Sequence, residues 1–407
     1  MKPLLAVTLF TASLASAEVT KQDVVTGYID LAFTNYSDAL ATAESLQSAV
    51  KTLIKTPSEE TLSAARNAWL AARPSYQQSE VFRFGNGVVD DWEGQLNAWP
   101  LDEGLIDYVD TASYEYELGN DGGTANIVNN KTIGDLKISR LTPETLANLN
   151  EFGGSEANVA TGYHAIEFLL WGQDLNGHNP GAGNRPYTDY AKGKDCTHGN
   201  CKRRGQYLLA ATELLVNDLE YMVDQWSPEG DYRAELLNTD ANVVLNKMLF
   251  GMGSLALGEL AGERIKVALT ANSTEDEHDC FSDNTHNSHF YNAQGIANLY
   301  FGRYENAQGE TIRVVGLRDY LLIQGQTSLV NEADNAFANT RSALDAIVRS
   351  AQNGTPFDQL IAPGNAEGKN LLNAAITNLV SETAAIEQIA QAVGLTQLTP
   401  DDAGHAF

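Results

Sequence analysis

Basic residues are scarce in this chain of 407 residues, which has 26 Lys and Arg against 53 Asp and Glu. The formal net charge is -27 at pH 7, and the pI is near 4.5. Such a surface repels nucleic-acid phosphates and anionic membranes, and the features of nucleic-acid-binding domains are absent from the sequence. We therefore expect no nucleic-acid partner. The charge favours cations where carboxylates gather, although solubility alone would also explain it.

Signatures of several enzyme classes are missing as well. The sequence contains no G-x-S-x-G, no P-loop and no G-x-G-x-x-G before a strand. These absences exclude the hydrolases, nucleotide-hydrolysing enzymes and dinucleotide-binding enzymes that depend on those motifs.

Cysteine is rare, with three residues in the chain. Cys196 and Cys201 flank the short polar loop CTHGNC, so a local disulfide is the favoured pairing and Cys280 is left over. The sequence alone leaves three pairings open. A zinc clip formed by the two cysteines with His198 is the alternative, but no second half of a zinc site accompanies it.

The N-terminus, MKPLLAVTLFTASLASA, has the pattern of a secretory signal peptide with cleavage after Ala17. No Cys lies near that point to carry a lipid. The later segment 243–262 is strongly apolar, but Lys247 and Glu259 mark it as a core helix. Gly258 and Gly262 give this helix a smooth face for close helix contact. We expect an exported protein without a transmembrane segment.

Strand signals are almost absent, and only TIRVVGL suggests a small hairpin. Apolar residues recur instead at three- and four-residue spacing, which predicts helices. The predicted helical segments are 21–55, a helix entered at Pro57 and Ser58, Thr161–Gly172, Arg204–Trp226, Tyr232–Ala271 and three or four helices within 316–395.

Polar stretches divide these helices. Residues 86–140 predict a long irregular insertion with short elements, and 273–295 a second polar interruption. The Gly/Asn/Pro-rich link 172–200 is the best boundary region. We predict an all-α protein with two tandem helical bundles. The expected divisions are a signal peptide at 1–17 and domains at 18–200 and 201–407.

A histidine and a carboxylate, His164 and Glu167, interrupt the mostly apolar stretch TGYHAIEFLLWGQD. Their spacing of three places them on one helix face, and the other faces indicate burial. A core histidine bonded to a carboxylate is the favoured interpretation on composition alone, and a metal site is the alternative. Phe168 stands where the zinc motifs H-E-x-x-H and H-x-x-E-H need histidine, so the helix offers two ligands at most.

Two other stretches are dense in chemically active residues. EDEHDCFSDNTHNSH, residues 275–289, has three His and five carboxylates, and could supply remote ligands, above all His278, or form a solvated acidic loop. The second stretch is YQQSEVFRFGNGVVDDWEGQLNAWPLD, residues 76–102. Tyr76, Glu80 and Arg83 can share one helix face there, and a plain surface ion pair between Glu80 and Arg83 is the simpler interpretation.

Five blocks in order resemble the imelysin family, also called peptidase family M75, and its iron-regulated protein A branch. One of them is the G-x-H-x-x-E pattern at Gly162, His164 and Glu167. The other blocks, within residues 66 to about 305, are ARPSYQQSEVFRF, NAWPLD, GERIKVAL and EDEHDCFSDNTH.

The resemblance implies a bacterial exported protein, periplasmic or outer-membrane-associated in a Gram-negative cell, with the motif helix facing a cleft between two helical domains. It also implies a divalent metal, iron or zinc, held by His164 and Glu167. Glu80 and His278 are the candidate further ligands. The candidate cleft residues are Gly162, Tyr76, Arg83, Trp99, Asp102 and Glu277.

Three functions are compatible with this resemblance. The favoured one is binding of a metal ion or metal-containing ligand for iron uptake, with an outer-membrane or periplasmic uptake component as the expected partner. The second is a metal-dependent peptidase of the insulin-cleaving type, in which Glu167 would be catalytic. The third is a periplasmic protein that binds a non-metal ligand in a polar cleft.

Overall fold

The computed structural model describes residues 19–116, 118–395 and 398–407, so the predicted signal peptide lies outside the described residues. The all-α prediction is confirmed. The helices are α1 Lys21–Lys55, α2 Glu59–Ser79, α3 Gly87–Leu96, α4 Glu103–Ile106, α5 Pro143–Ala147, α6 Gly162–Trp171, α7 Cys201–Trp226, α8 Asp231–Asn238, α9 Ala241–Ser254, α10 Ala268–Ala271, α11 Thr285–Phe301, α12 Leu317–Ile323, α13 Thr327–Gln352, α14 Phe357–Leu360 and α15 Ala366–Ala392.

The described residues contain two small antiparallel hairpins. Strand β1 (Thr132–Ile133) pairs with β2 (Leu136–Lys137) inside the irregular insertion. Strand β3 (Arg303–Glu305) pairs with β4 (Thr311–Arg313), where the sequence TIRVVGL predicted a hairpin. Single 3-10 turns lie at Glu80–Phe82, Asp121–Thr124, Phe152–Gly154, Tyr187–Tyr190 and Gly193–Asp195.

Local capping explains where the first two helices begin. Thr20 and Asp23 form a reciprocal capping box at the start of α1, and Ser58 with Thr61 does the same for α2. The apolar faces of α1 and α2 pack on each other, α7 packs on α1, and α6 contacts both α2 and α7. The motif helix is therefore held inside a packed group of four helices.

The remaining long helices form a second packed group. Helix α15 packs on α13 and on the long helix that contains α9, and α11 packs on α13. Helix α11 also packs on α2, which joins the two groups. The division into two domains near residue 200 stays a prediction.

The predicted helix at 232–271 is interrupted. Helix α8 ends at Asn238, and the side chain of Asp240 accepts a hydrogen bond from the amide of Asn242 to start α9. An aspartate that caps its own following turn competes with a continuous helix.

The predicted polar interruption at 273–295 is shorter than expected. Helix α11 begins at Thr285, because Ile296, Leu299 and Tyr300 are buried along its length and stabilise the helix despite its polar first turns. His286 and His289 therefore lie on a helix rather than in a loop.

The glycine face of the long apolar helix packs against a different partner than expected. Residues 255–267 continue α9 with π-helical turns. A Cβ at Gly258 would lie 2.7 Å from the carbonyl oxygen of Asp401, and one at Gly262 would lie 2.4 Å from the His405 ring. At Gly258 and Gly262 the C-terminal tail, and not another helix, packs on this face.

Residues Ala241–Ala271 form a helix that is long and apolar enough to cross a membrane by length and composition. Within its most apolar window, 67% of the residues are buried inside the protein. Core packing accounts for this apolar character.

A buried carboxyl lies between α13 and α15. Glu382 of α15 is 1% exposed, and burial raises its pKa from 4.5 to about 8, with an opposing hydrogen bond from Thr340. The folded protein therefore keeps this proton at neutral pH.

We predict that Glu382 makes the protein less stable as pH rises. Between pH 4.5 and about 8 the unfolded chain releases the proton while the folded chain retains it, so rising pH favours unfolding. Each pKa unit corresponds to about 1.4 kcal/mol, so Glu382→Gln should reduce the loss of stability between pH 5 and pH 8 by about 2–4 kcal/mol. Urea unfolding of both proteins at the two pH values measures this difference, and an unchanged loss would contradict it.

Candidate metal centre

The motif helix α6 begins at a position that requires glycine. Gly162 has a φ of 76°, and a Cβ there would lie 2.4 Å from the carbonyl oxygen of Leu96 at the end of α3. The missing side chain lets the start of α6 approach the backbone of α3 closely. All ten residues of α6 are buried, including His164 and Glu167.

Glu167 connects the motif helix to the segment before α11. Its Oε2 lies 3.0 Å from Nδ1 of His164. Its Oε1 accepts hydrogen bonds from the backbone amide of Ser282 at 3.0 Å and from the Ser282 hydroxyl at 2.6 Å. Both carboxyl oxygens of Glu167 therefore have partners, and Oε2 holds the His164 ring through Nδ1. The other ring nitrogen, Nε2 of His164, has no hydrogen-bond partner among the described residues.

His278 lies against His164. Their ring centroids are 4.9 Å apart, and His278 is fully buried. Nδ1 of His278 lies 3.4 Å from Oδ1 of Asp279, and neither His278 nitrogen has a hydrogen-bond partner in the part of the chain that the structure describes. One ligand atom each from His164, His278 and Asp279 lie within 4.8 Å of one another.

A third histidine extends the cluster. The ring of His289, on α11, lies 6.2 Å from that of His278 and contacts Phe357 edge-on. Both of its nitrogens lack a hydrogen-bond partner within residues 19–116, 118–395 and 398–407. Five buried ring nitrogens are thus unpartnered, one on His164 and two each on His278 and His289.

The three rings are neutral at physiological pH. Burial lowers the pKa of His164 and His289 to about 3 each, and lowers that of His278 well below its usual value. The nearby Arg73 and Arg264 add to this effect at His164 and His278. A neutral imidazole has one nitrogen lone pair, which is the form that binds a metal ion.

Asp279 is held by a buried ion pair. Arg73 Nη2 donates to Oδ1 of Asp279 at 2.9 Å, while Asn284 and Ser288 donate to Oδ2. Burial opposes ionisation of Asp279, but Arg73 and the hydrogen bonds keep its pKa below the usual value. The guanidinium of Arg73 lies over the rings of Trp69 and Tyr163.

Glu80 belongs to an adjoining charge network. Its Oε2 pairs with Arg264 at 2.6 Å, and its Oε1 accepts from Asn97 at 2.7 Å. Arg264 and Arg83 both pair with Glu259, at 2.7 Å and 3.6 Å. Both oxygens of Glu80 are satisfied, so the structure places this residue and Arg83 in an ion-pair network beside the histidines.

Two of the other predicted cleft residues, Trp99 and Tyr76, pack against aromatic rings. Trp99 packs edge-on against His278 at 5.0 Å, and its indole donates to the backbone oxygen of Glu277. The Tyr76 ring packs on Tyr163, with centroids 4.7 Å apart.

Two acidic residues of the predicted cleft have different surroundings. Glu277 is buried next to His278, and its Oε1 has no hydrogen-bond partner in the described part of the chain. Asp102 accepts a hydrogen bond from Asn120 in the irregular insertion.

The cysteines form the locally favoured pair. A disulfide joins Cys196 and Cys201, and Cys280 is a free thiol. A zinc clip would need two thiolates, which this disulfide removes. Nδ1 of His198 lies 2.7 Å from Asp189.

Arg73, Asp279 and His289 are parts of the site that sequence reasoning missed. Asp279 and His289 lie inside the dense stretch 275–289, so density was the available signal for them. Arg73 is the second residue of the block ARPSYQQSEVFRF. Nothing in the spacing distinguishes these residues from their neighbours, because their proximity depends on how α2, α6 and α11 pack.

We predict that Arg73→Met destabilises the protein by about 3–5 kcal/mol, because Asp279 would stay buried without its cation. The double variant with Asp279→Asn should recover part of that loss. Arg318→Met is the control: it breaks the partly exposed pair with Asp334 and should cost less than about 1 kcal/mol. Denaturant unfolding measures all three, and equal losses for Arg73→Met and Arg318→Met would refute the prediction.

Comparison with known proteins identifies the family of this chain. A curated relative, iron-regulated protein A of Synechococcus elongatus, is 24% identical over 353 residues, covering 84% of this chain and 80% of the relative. The crystal structure of an iron-regulated protein A precursor from Parabacteroides distasonis has a TM-score of 0.63 at 18% identity, covering 93% of this chain and 97% of that one.

A second solved structure has the same fold. An imelysin-like protein from Psychrobacter arcticum matches with a TM-score of 0.56 at 15% identity, covering 92% of this chain and 96% of that one. The sequence model of imelysin, peptidase family M75, matches residues 32–386. Because this match spans most of the chain and includes the motif helix, the protein belongs to the imelysin family.

Proposed function

We propose that this protein is exported and takes part in bacterial iron supply. It binds a divalent metal ion through His164, His278 and Asp279, and His289 is a further candidate ligand. One observation carries the metal proposal: five ring nitrogens of three adjacent buried histidines have no hydrogen-bond partner among the described residues.

Leaving these nitrogens unpartnered is costly. A buried polar group without a partner costs about 1–3 kcal/mol, so five such atoms are a large burden for a protein of marginal stability. Proteins keep such groups when a ligand, ion or water satisfies them. Each neutral ring has one nitrogen lone pair, so three of the five nitrogens can bind a cation, and the other two carry N–H groups.

The donor set suits a transition metal. Two imidazoles and a carboxylate are the ligand types of non-haem iron sites and of many zinc sites. With bonds of about 2.1 Å, two ligand atoms on a tetrahedral ion lie about 3.4 Å apart. The three ligand atoms lie within 4.8 Å of one another, so the side chains would have to close by up to about 1.4 Å to bind one ion.

Glu167 supports this site from outside it. Its contact with Nδ1 of His164 leaves Nε2 directed away from Glu167, as in the carboxylate–histidine pairs that orient metal ligands. Burial raises the pKa of Glu167 well above its usual value, and a cation on Nε2 would favour the form in which Nδ1–H donates to an ionised Glu167. We therefore assign Glu167 to positioning His164.

Iron supply and export rest on other grounds. The curated relative is named iron-regulated protein A, and one structural neighbour is described as a precursor of such a protein. The N-terminal sequence has the features of a secretory signal peptide. These observations support an exported iron-related role, with an uptake component of the periplasm or outer membrane as partner.

A peptidase role has less support from the site. Glu167 would act as the general base, but its two oxygens are engaged by His164 and Ser282 and the residue is fully buried. A general base must reach the water that it activates.

The metal proposal predicts a specific pattern of loss. Untagged wild-type protein should bind about one equivalent of Zn²⁺ or Fe²⁺, and His164→Ala or His278→Ala should each weaken the affinity at least about 10-fold. His198→Ala, which removes a half-exposed histidine bonded to Asp189, is the matched control and should bind as the wild type does. Elemental analysis and calorimetric titration measure these affinities; equal binding by all four proteins would contradict the proposal.

The iron role predicts regulation. Protein abundance should rise several-fold in iron-starved cells of the source bacterium relative to iron-replete cells, because a supply protein is needed when iron is scarce. Quantitative proteomics measures this ratio. Equal abundance in iron-starved and iron-replete cells would contradict the iron role but would not test the metal site.

A further inference from the structure

A small cavity lies among α11, α13 and α15, with lining residues separate from those of the metal centre. Its volume is about 140 Å³. The side chains of Phe290, Phe301 and Phe337 give it aromatic walls, and Ala297 and Leu344 complete an apolar surface. Such a surface favours an apolar ligand body.

The lining also contains the polar residues Gln294 and Thr340 and one buried carboxyl. Glu382 lines the cavity, is 1% exposed, and its Oε1 has no hydrogen-bond partner in the ranges that the structure describes. Burial raises the pKa of this carboxyl to about 8, so the protonated form predominates at pH 7, and the unpartnered Oε1 can accept a hydrogen bond. A ligand with a donor at its inner end would satisfy it.

Cationic side chains stand at the mouth. Arg303 and Arg341 are exposed residues of the lining, and their guanidinium groups lie over the rings of Phe301 and Phe290, at 4.9 Å and 5.2 Å. In a protein with a net charge of -27, two arginines together form a local site for an anionic group.

The volume limits the ligand to about one aromatic ring. An engineered apolar cavity of about 150 Å³ in another protein binds benzene, which sets the scale for 140 Å³ here. Aromatic rings also pack well against phenylalanine edges and faces.

We propose that this cavity binds a small monocyclic phenolic acid. The ring lies among the three phenylalanines, the phenol hydroxyl donates to Glu382, and the carboxylate lies at the mouth with Arg303 and Arg341. This site is independent of the metal proposal, since the two share no residue.

Calorimetric titration of the full chain tests this assignment. With 4-hydroxyphenylacetate as the probe, we expect saturable binding with one site per chain. Phenylacetate, which lacks the inner hydroxyl, should bind about 3- to 10-fold more weakly, in line with one net hydrogen bond. Neutral p-cresol, which lacks the carboxylate, should also bind more weakly.

Three variants locate the binding. Ala297→Leu fills the cavity and should abolish binding of all three probes. Glu382→Leu should remove the preference for 4-hydroxyphenylacetate over phenylacetate, and Arg341→Gln, at an exposed position, should weaken both acids without affecting p-cresol. Circular dichroism melting establishes that each variant is folded.

Several results would overturn the proposal. It fails if 4-hydroxyphenylacetate does not bind at millimolar concentration, if folded Ala297→Leu binds like the wild type, or if both acids bind equally. Should Ala297→Leu not fold, Arg341→Gln decides: equal affinities of this variant and the wild type for 4-hydroxyphenylacetate would equally reject the site.

Discussion

The contact that Glu167 makes with both His164 and Ser282 is the constraint on which the site depends. It joins the motif helix to the segment before α11, two parts of the chain separated by 115 residues. Beside this junction the rings of His164 and His278 pack edge to face in the interior. Neither the motif helix nor the segment before α11 alone brings two histidines and a carboxylate together. The site therefore forms only when these two parts of the chain pack against each other.

Two kinds of buried polar group lie side by side in this interior. Around Glu80 and Arg264, charges and amides satisfy one another, so that network stabilises the fold and orders the helices that cross it. By contrast, five ring nitrogens of His164, His278 and His289 have no hydrogen-bond partner within the described residues. This contrast is why we propose the histidines, and not the denser charge network, as the ligand-binding part of the interior.

Much of the fold was predictable, because helical spacing and capping residues are local signals: α1 and α6 begin and end close to where the sequence indicates. The start of α11 was not, because its first turns are polar and are stabilised by distant packing. In the site, His164, Glu167 and His278 could be named from motif and density. Arg73 and His289 could not, because tertiary contacts decide which polar residues meet. Glu80, a candidate ligand from the sequence, is paired with Arg264 and Asn97 in this structure.

The central claim is that the buried histidines hold a metal ion. The most direct measurement is anomalous diffraction from crystals of the protein soaked in Zn²⁺, recorded on both sides of the zinc absorption edge. The account predicts one strong anomalous peak within about 2.3 Å of a ring nitrogen of His164 and one of His278. A peak confined to surface carboxylates, with the histidine nitrogens still without a ligand, would contradict it.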